Sequence, residues 1–412
     1  MCPTTSALTL DRSVQAGPVH VPVRVCRGAG WPDEVTAALR RMGADRIVVL
    51  TDPSLPTALL ARVLASLDSA APTEVRWLTA GRRLPAEGPR AVPDGSALVA
   101  LGGTRIVEAA DRLVHADGTP PPLLRLPTTL RAMADAALSV AGRGGVVGAG
   151  PGRILVRDQL DFLETLDAWA LRAGVCALVR DVLAVVPGSY DQVAARLRRD
   201  GHYDPGTLAS FLSLCVEVRS ALLRYDPLET GPAMVLHYGR ALARALRAST
   251  RPGAPPHGDA ALLGLRVAAR VARLSGLLDA AGEQAHTELV ERAGGPSALL
   301  LGADAEDVLA ELVHGPAGRR LPRRRAVRAG TDRVGMVLLD DLGTPHLERG
   351  RAVTPVGVDV LRAALEAFAP ASAPAGRTPG PELGQGAGQG RGQGPGQDHS
   401  LMPVGRRAPE SR

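Results

Sequence analysis

Asp52, the pair Gly102-Gly103 and the pair Thr128-Thr129 each follow directly on a short apolar run rich in β-forming residues. In a parallel sheet, ligands bind beyond the carboxyl ends of the strands, so these five residues stand where a dinucleotide is held. The chemistry suits NAD. Asp52 could bond a ribose hydroxyl, Gly102 and Gly103 would let a pyrophosphate approach the backbone, and the Thr128 and Thr129 hydroxyls could bond ribose or nicotinamide. The complete G-x-G-x-x-G fingerprint is absent, and a turn needing positive φ is served equally by Gly-Gly. On the residues alone, a dinucleotide crevice and plain strand-end turns both stand.

Some chemistry is excluded outright. All 48 basic residues of the 412-residue chain are arginine, and neither lysine nor asparagine occurs. Isoleucine is found only at Ile47, Ile106 and Ile154, which points to a GC-rich gene. A lysine Schiff base and a P-loop lysine are therefore unavailable, and no N-x-[ST] glycosylation site can exist. With 2% aromatic residues, base stacking on exposed rings is disfavoured. The net charge of +6 is concentrated at Arg319 to Arg328, which reads as a solvated arginine run, so nucleic acid is not an expected partner. Cys2, Cys26, Cys176 and Cys215 form no C-x-x-C pair, which argues against a zinc ribbon or a disulfide scaffold. No basic-then-apolar leader opens the chain, and no apolar run reads as the ~18 residues of a span. A cytoplasmic protein without a membrane segment is expected.

The elements that must position these residues can be read along the chain. Arg46 to Leu50 reads as a buried strand, and Glu74 to Leu78, Ala97 to Leu101 and Leu123 to Leu126 as further strands, with a helix over Leu55 to Leu67. From Asp158 to Gly295 the apolar period is that of helices, followed by a strand-like return at Arg333 to Leu339 and a helix from Val358 to Phe368. The predicted fold is an α/β NAD-binding domain over 1–155 and an all-α domain over 156–369. A Pro/Gly/Gln-rich tail at 370–412 is too poor in apolar residues to order itself.

Several segments carry a resemblance. They are Leu126-Pro127-Thr128-Thr129-Leu130 with Met133 to Ser139, Cys176 to Val185, Val235-Leu236-His237-Tyr238-Gly239-Arg240, His257-Gly258-Asp259, and Met336 to Gly343 with Thr354-Pro355-Val356. In this order the chain resembles the sugar phosphate cyclases of the dehydroquinate synthase superfamily, on the branch that forms 2-deoxy-scyllo-inosose for aminoglycosides. The resemblance implies a dehydroquinate synthase-like fold, with NAD and a divalent metal, cobalt or zinc, in a cleft between the two domains. It also implies the reaction: transient oxidation of a hexose phosphate, elimination of phosphate, return of the hydride and closure of a carbocycle.

Carried over residue by residue, the resemblance places Asp135 and Arg219 at the substrate and His257 at the metal. Ala177 stands where a metal-binding Glu is implied, and Arg240 where a metal-binding His is. Arg180 and Arg219 take lysine positions, Arg244 a histidine position, and Ala141, with Arg143 nearby, a further lysine position. Arginine keeps the charge of lysine without a titratable amine. His237 and Cys176 lie near the lost ligands, but an offset of one residue turns a helical side chain by about 100°. Arg180, Arg219, Arg240 and Arg244 in one cleft predict a strongly positive pocket for a phosphorylated or carboxylated ligand. Two readings follow: a cyclase that tolerates these changes, or a degenerate member that serves an active cyclase as partner or regulatory subunit. The former fits a homodimer, the latter a heteromer.

Overall fold

Val, Leu and Ile crowd the segments Arg46–Thr51 (β3), Ser96–Gly102 (β5) and Leu123–Pro127 (β6), and nearly all of these positions are buried. Strands buried on both faces belong in the middle of a parallel sheet, which is where the computed structural model of the protein places them. It describes residues 8–79, 92–114, 120–142, 145–146, 154–249, 257–299, 303–315 and 333–369. The Arg319 to Arg328 run, Arg143, Cys2 and the 370–412 tail lie outside the described residues.

Before β3 come β1 (Leu8–Ala16), β2 (Val19–Arg27) and the helix α1 (Trp31–Arg41). After it follow α2 (Thr57–Asp68), β4 (Thr73–Trp77), β5, α3 (Thr104–Val114), β6 and the short α4 (Leu130–Ala134). A minimal hairpin of β7 (Ala141–Gly142) and β8 (Gly145–Val146) precedes β9 (Ile154–Gln159). The main sheet has seven strands in the order β1-β2-β9-β6-β5-β3-β4, with β1 antiparallel to β2 and the other neighbours parallel. All four strands read from the sequence are present to within a residue or two. The β1–β2 hairpin and β9, which extend the sheet on the other side, were not singled out there.

One face of the sheet is covered by α1 and α2 in a core that includes Trp31, Val35, Leu67 and Phe162. Trp31 meets Phe162 edge-on at 5.2 Å between ring centroids. The opposite face merges into a second core shared with the helical half. Met1–Pro370 forms one compact unit.

The helical half comprises α5 (Ala168–Ala184), α6 (Tyr190–Arg196), α7 (Pro205–Leu223), α8 (Arg240–Ser249), α9 (His257–Leu274), α10 (Ala280–Arg292) and α11 (Ala305–Val313). In a chain without asparagine, aspartate does the capping: Asp167, Asp204, Asp279 and Asp304 each accept a first-turn amide of α5, α7, α10 and α11. This half is not wholly helical. Two small antiparallel ladders, β10 (Arg333–Met336) with β13 (Thr354–Gly357) and β11 (Leu339–Asp341) with β12 (Thr344–Pro345), precede α12 (Val358–Glu366).

The expectation that no segment matches a membrane span needs one correction. By length and composition, α7 is long and apolar enough to cross one, but more than half of it is buried within the protein. Its apolar face serves the core, and it is hooked to the sheet by Gln15 N–H to Ser220 Oγ at 3.0 Å and Gly17 N–H to Leu223 O at 3.0 Å.

Candidate functional site

The chain runs from β3 outward to β4 and then returns to β5 on the other side of β3, so the strand order reverses between β3 and β5. That reversal opens a crevice at the carboxyl ends. Asp52 and Gly102 stand on its two sides. A Cβ on Gly102 would lie 2.6 Å from Ile106 Cγ1 and 3.4 Å from Asp52 Oδ2, so only glycine fits. A Cβ on Gly103 would make ordinary contact with Thr129 at 3.5 Å. Thr128 N–H donates to Gly102 O at 3.0 Å. All five residues picked from the strand ends therefore converge on one crevice, beside the N-terminus of α3. Asp52 Oδ1 is held by Ser54, whose amide donates at 3.0 Å and whose hydroxyl also donates.

A five-residue helix connects this crevice to a second set of charges. Thr129 caps α4 by accepting the Ala132 amide at 3.2 Å, and Asp135 stands immediately after the helix ends. Below Asp135, the buried Arg125 of β6 fixes the following turn by donating to the carbonyls of Ala137 and Ser139, both at 2.8 Å, while pairing with Asp111 at 2.6 Å.

Asp135 is the centre of a closed network. Its Oδ1 accepts from Arg219 of α7 and from Arg180 of α5 at 3.2 Å, and its Oδ2 accepts from Arg240 at the start of α8 at 3.3 Å. Arg180 also grips its neighbour Asp181 at 2.7 and 2.9 Å. Arg219 reaches Glu229 at 3.6 Å, Glu229 pairs with His237 Nε2 at 3.0 Å, and Arg240 donates to His237 Nδ1 at 2.7 Å. Two backbone features aim these groups. Gly239, at φ +72°, lies so close to α9 that a Cβ would fall 2.8 Å from Leu265 Cδ2, which fixes where α8 and Arg240 begin. Glu229 is itself left-handed at φ +53°, in a turn that Asp226 holds by accepting the amides of Thr230, Gly231 and Ala233.

The ionisation states follow from these contacts. Burial alone would raise Asp135, but the guanidiniums of Arg219, Arg180, Arg240 and Arg131 hold it well below the usual carboxylate range. Burial likewise opposes ionisation of Glu229, yet His237 and Arg219 bring it down to about 2. Burial dominates at Asp181, which is raised despite Arg180 and Arg219. The arginines expected to line a positive pocket do come together, but with carboxylates among them. Arg180, Arg219 and Arg240, with Arg131 also acting on Asp135, face Asp135, Asp181 and Glu229. Arg244 stands half-buried one turn further along α8.

Of this cluster, the sequence reading assigned roles to Asp135, Arg180, Arg219 and Arg240. It missed Glu229 and Arg131 and gave Asp181 none. The only local signal for Glu229 is its turn, Asp226-Pro227-Leu228-Glu229-Thr230-Gly231.

The residues present do not fit the divalent metal that the resemblance implies. Ala177 is a buried methyl on α5, Cys176 is a buried thiol whose ionisation burial opposes, and Arg240 is a cation already bound to Asp135 and His237. Among the described residues, no group of three His, Cys, Asp or Glu could hold a metal. His257 opens α9, and its side chain is outside the described part.

An α/β sheet with a crevice at its reversal, joined through one short helix to a charged cluster among helices, defines the class: a dehydroquinate synthase-like fold. Residues 186–314 match the 3-dehydroquinate synthase C-terminal family. The chain is 29% identical to 2-deoxy-scyllo-inosose synthase of Streptomyces kanamyceticus over 85% of this chain and 92% of that one. It is 27% identical to the enzyme of the same name from Micromonospora echinospora, over 84% and 89%. The crystal structure of a 2-deoxy-scyllo-inosose synthase with carbaglucose-6-phosphate, NAD+ and Co2+ superposes with a TM-score of 0.73 at 20% identity, covering 86% of this chain and 99% of that one. A 2-epi-5-epi-valiolone synthase from Streptomyces hygroscopicus with NAD+ and Zn2+ superposes at 0.61 and 18% identity, covering 84% and 96%. Over most of its length the chain is thus similar to 2-deoxy-scyllo-inosose synthases, and its helical half carries the 3-dehydroquinate synthase C-terminal match.

Proposed function

We propose that this protein is a rebuilt homologue of 2-deoxy-scyllo-inosose synthase that keeps NAD and phosphorylated-sugar binding, lacks metal-dependent cyclisation, and acts as a partner or regulatory subunit of an active cyclase. The observation that carries this reading is the state of Asp135, whose two oxygens accept from three guanidiniums. A carboxylate so engaged is committed to the guanidiniums around it and takes up no proton near neutral pH. No lysine exists to shuttle one, and Arg180 stays protonated throughout the working range.

NAD binding is supported by the crevice, where Asp52 can meet ribose hydroxyls and Gly102 and Gly103 leave the backbone open to a pyrophosphate. A phosphorylated sugar is supported by the ligand of the structural neighbour and by the arginines that line the cluster.

The alternative is an active 2-deoxy-scyllo-inosose synthase-like cyclase. It is favoured by one observation, similarity spanning 92% of the Streptomyces kanamyceticus enzyme rather than a single domain. One assay separates the two. Purified protein is incubated with glucose 6-phosphate, NAD and Co2+ or Zn2+, and phosphate release is followed. No release, together with a higher melting temperature in NAD, is the expected result. Metal-dependent release would overturn the proposal.

A further inference from the structure

We infer that the ligand cleft of this chain is built to work without a divalent cation, and that the guanidinium of Arg240 is its fixed positive group. The inference rests on the reading that the Asp135 cluster borders the ligand site, and it adds what recognises the ligand there.

Coordination needs free anionic or neutral lone pairs, and most of those in the cluster are already committed to neighbouring donors. Asp135 uses Oδ1 for Arg219 and Arg180 and Oδ2 for Arg240. Glu229 uses Oε1 for Arg219 and the Ser139 hydroxyl and Oε2 for His237. The Nδ1 of His237 accepts from Arg240, and its Nε2 carries the proton. Asp181 keeps one unpartnered oxygen, but the residue is fully buried beside Arg180. A dication entering this cluster would have to displace guanidiniums already hydrogen-bonded to its carboxylates, and would do so at low dielectric, where like charges repel most strongly.

Arg240 is the member that can face a ligand. Its side chain is 32% exposed, whereas Arg180 and Arg219 are 9% and 3% exposed. Two of its five N–H groups point inward to Asp135 and His237, which leaves a rigid donor edge. Such an edge suits an oxygen that is already anionic, a phosphate or carboxylate oxygen. It has no vacant coordination position with which to acidify a hydroxyl as a metal does. The ligand class is therefore a phosphorylated or carboxylated polyol bound as it stands.

The test is metal content. The full-length protein is dialysed against CoCl2 or ZnCl2, desalted and analysed by elemental mass spectrometry, with melting temperatures measured in parallel. Sub-stoichiometric metal and an unchanged melting temperature are expected. A site filled at a hundredfold excess over its Kd would raise the melting temperature by roughly 3 °C. One equivalent of metal retained per chain would overturn the inference. A second arm uses the double substitution Ala177→Glu with Arg240→His, its fold checked by circular dichroism. Cobalt uptake, seen as visible absorption, is expected, and a folded double variant that still excludes cobalt would show that these positions are not the barrier. Stabilisation by NAD is read separately. Its absence would sink the proposed function while leaving metal exclusion intact, and stoichiometric metal in a protein stabilised by NAD would do the reverse.

Discussion

Arg240 donates to Nδ1 of His237 at 2.7 Å, and because a guanidinium has no acceptor, His237 must carry its proton on Nε2, facing Glu229 at 3.0 Å. A second proton on Nδ1 would place two cations in contact. Burial and Arg240 accordingly hold the His237 pKa below its ordinary value, against the pull of Glu229. Nitrogen-15 NMR is expected to show the neutral Nε2–H tautomer at pH 6.5. In Arg240→Gln the protonated form should appear at higher pH than in the parent, and an unchanged titration would rule out Arg240 as the cause.

The fully buried His286 is a second source of acid lability. Its Nδ1–H donates to Gly282 O at 2.7 Å, so its Nε2 accepts from the Tyr238 hydroxyl at 2.9 Å. Burial brings it from 6.5 down to about 4. In the unfolded chain it protonates at its ordinary value while the folded protein resists, so stability is complete above pH 6.5 and is lost as pH falls towards 4. The full shift corresponds to about 3 kcal/mol. Urea unfolding at pH 7.0 and 4.5 should show this loss, and in His286→Gln the loss should be smaller.

Asp158 behaves in the opposite sense. It is fully buried on β9 with neither oxygen partnered, and burial raises it well above the ordinary carboxylate value. A carboxyl whose folded pKa is raised contributes full stability below its unfolded pKa and loses it as pH rises. Asp158→Leu should therefore stabilise the protein at pH 8 by about 1 to 3 kcal/mol, with a smaller gain at pH 4. An equal effect at both values would show that the carboxyl is not the source.

Removing one member of the Asp135 cluster leaves the others buried and unmatched. Arg219→Met, which exposes both Asp135 and Glu229 to that imbalance, should cost about 3 to 5 kcal/mol in chemical denaturation. Asp135→Asn and Arg240→Gln, each made alone and then together, should couple by about 1 kcal/mol. Additive effects would mean that the pair at 3.3 Å carries no energy.

The crevice can be probed by its two glycines. Gly102→Ala puts a methyl 2.6 Å from Ile106, whereas Gly103→Ala makes ordinary contact with Thr129 at 3.5 Å. The first should abolish stabilisation by NAD and lower the melting temperature, while the second should weaken NAD binding with little change in fold. Equal losses of melting temperature would contradict the packing difference.

The strands beginning near Arg46, Ala97 and Leu123 were legible because each is a local run rich in β-branched and aliphatic residues closed by Gly, Pro or Asp, and the five strand-end residues inherit their place from those runs. The β1–β2 hairpin carries a local signal that went unread, the alternation of Val19, Val21, Val23 and Val25 across from β1, whereas the place of β9 depends on β2 and β6 far along the chain. The sequence by itself also determined which chemistry is missing: with no lysine, and with Ala177 and Arg240 where the resemblance implies metal ligands, no later folding step can supply an amine or those two donors. What only the tertiary structure decided is the charge state of the site. Asp135 meets Arg180, Arg219 and Arg240 across 45, 84 and 105 residues of chain, and Glu229 joins them from a turn. A count of arginines in a motif gives their charge, but whether that charge faces a ligand or a carboxylate depends on which side chains the packed helices bring within hydrogen-bonding distance, and neither spacing nor composition contains that distance.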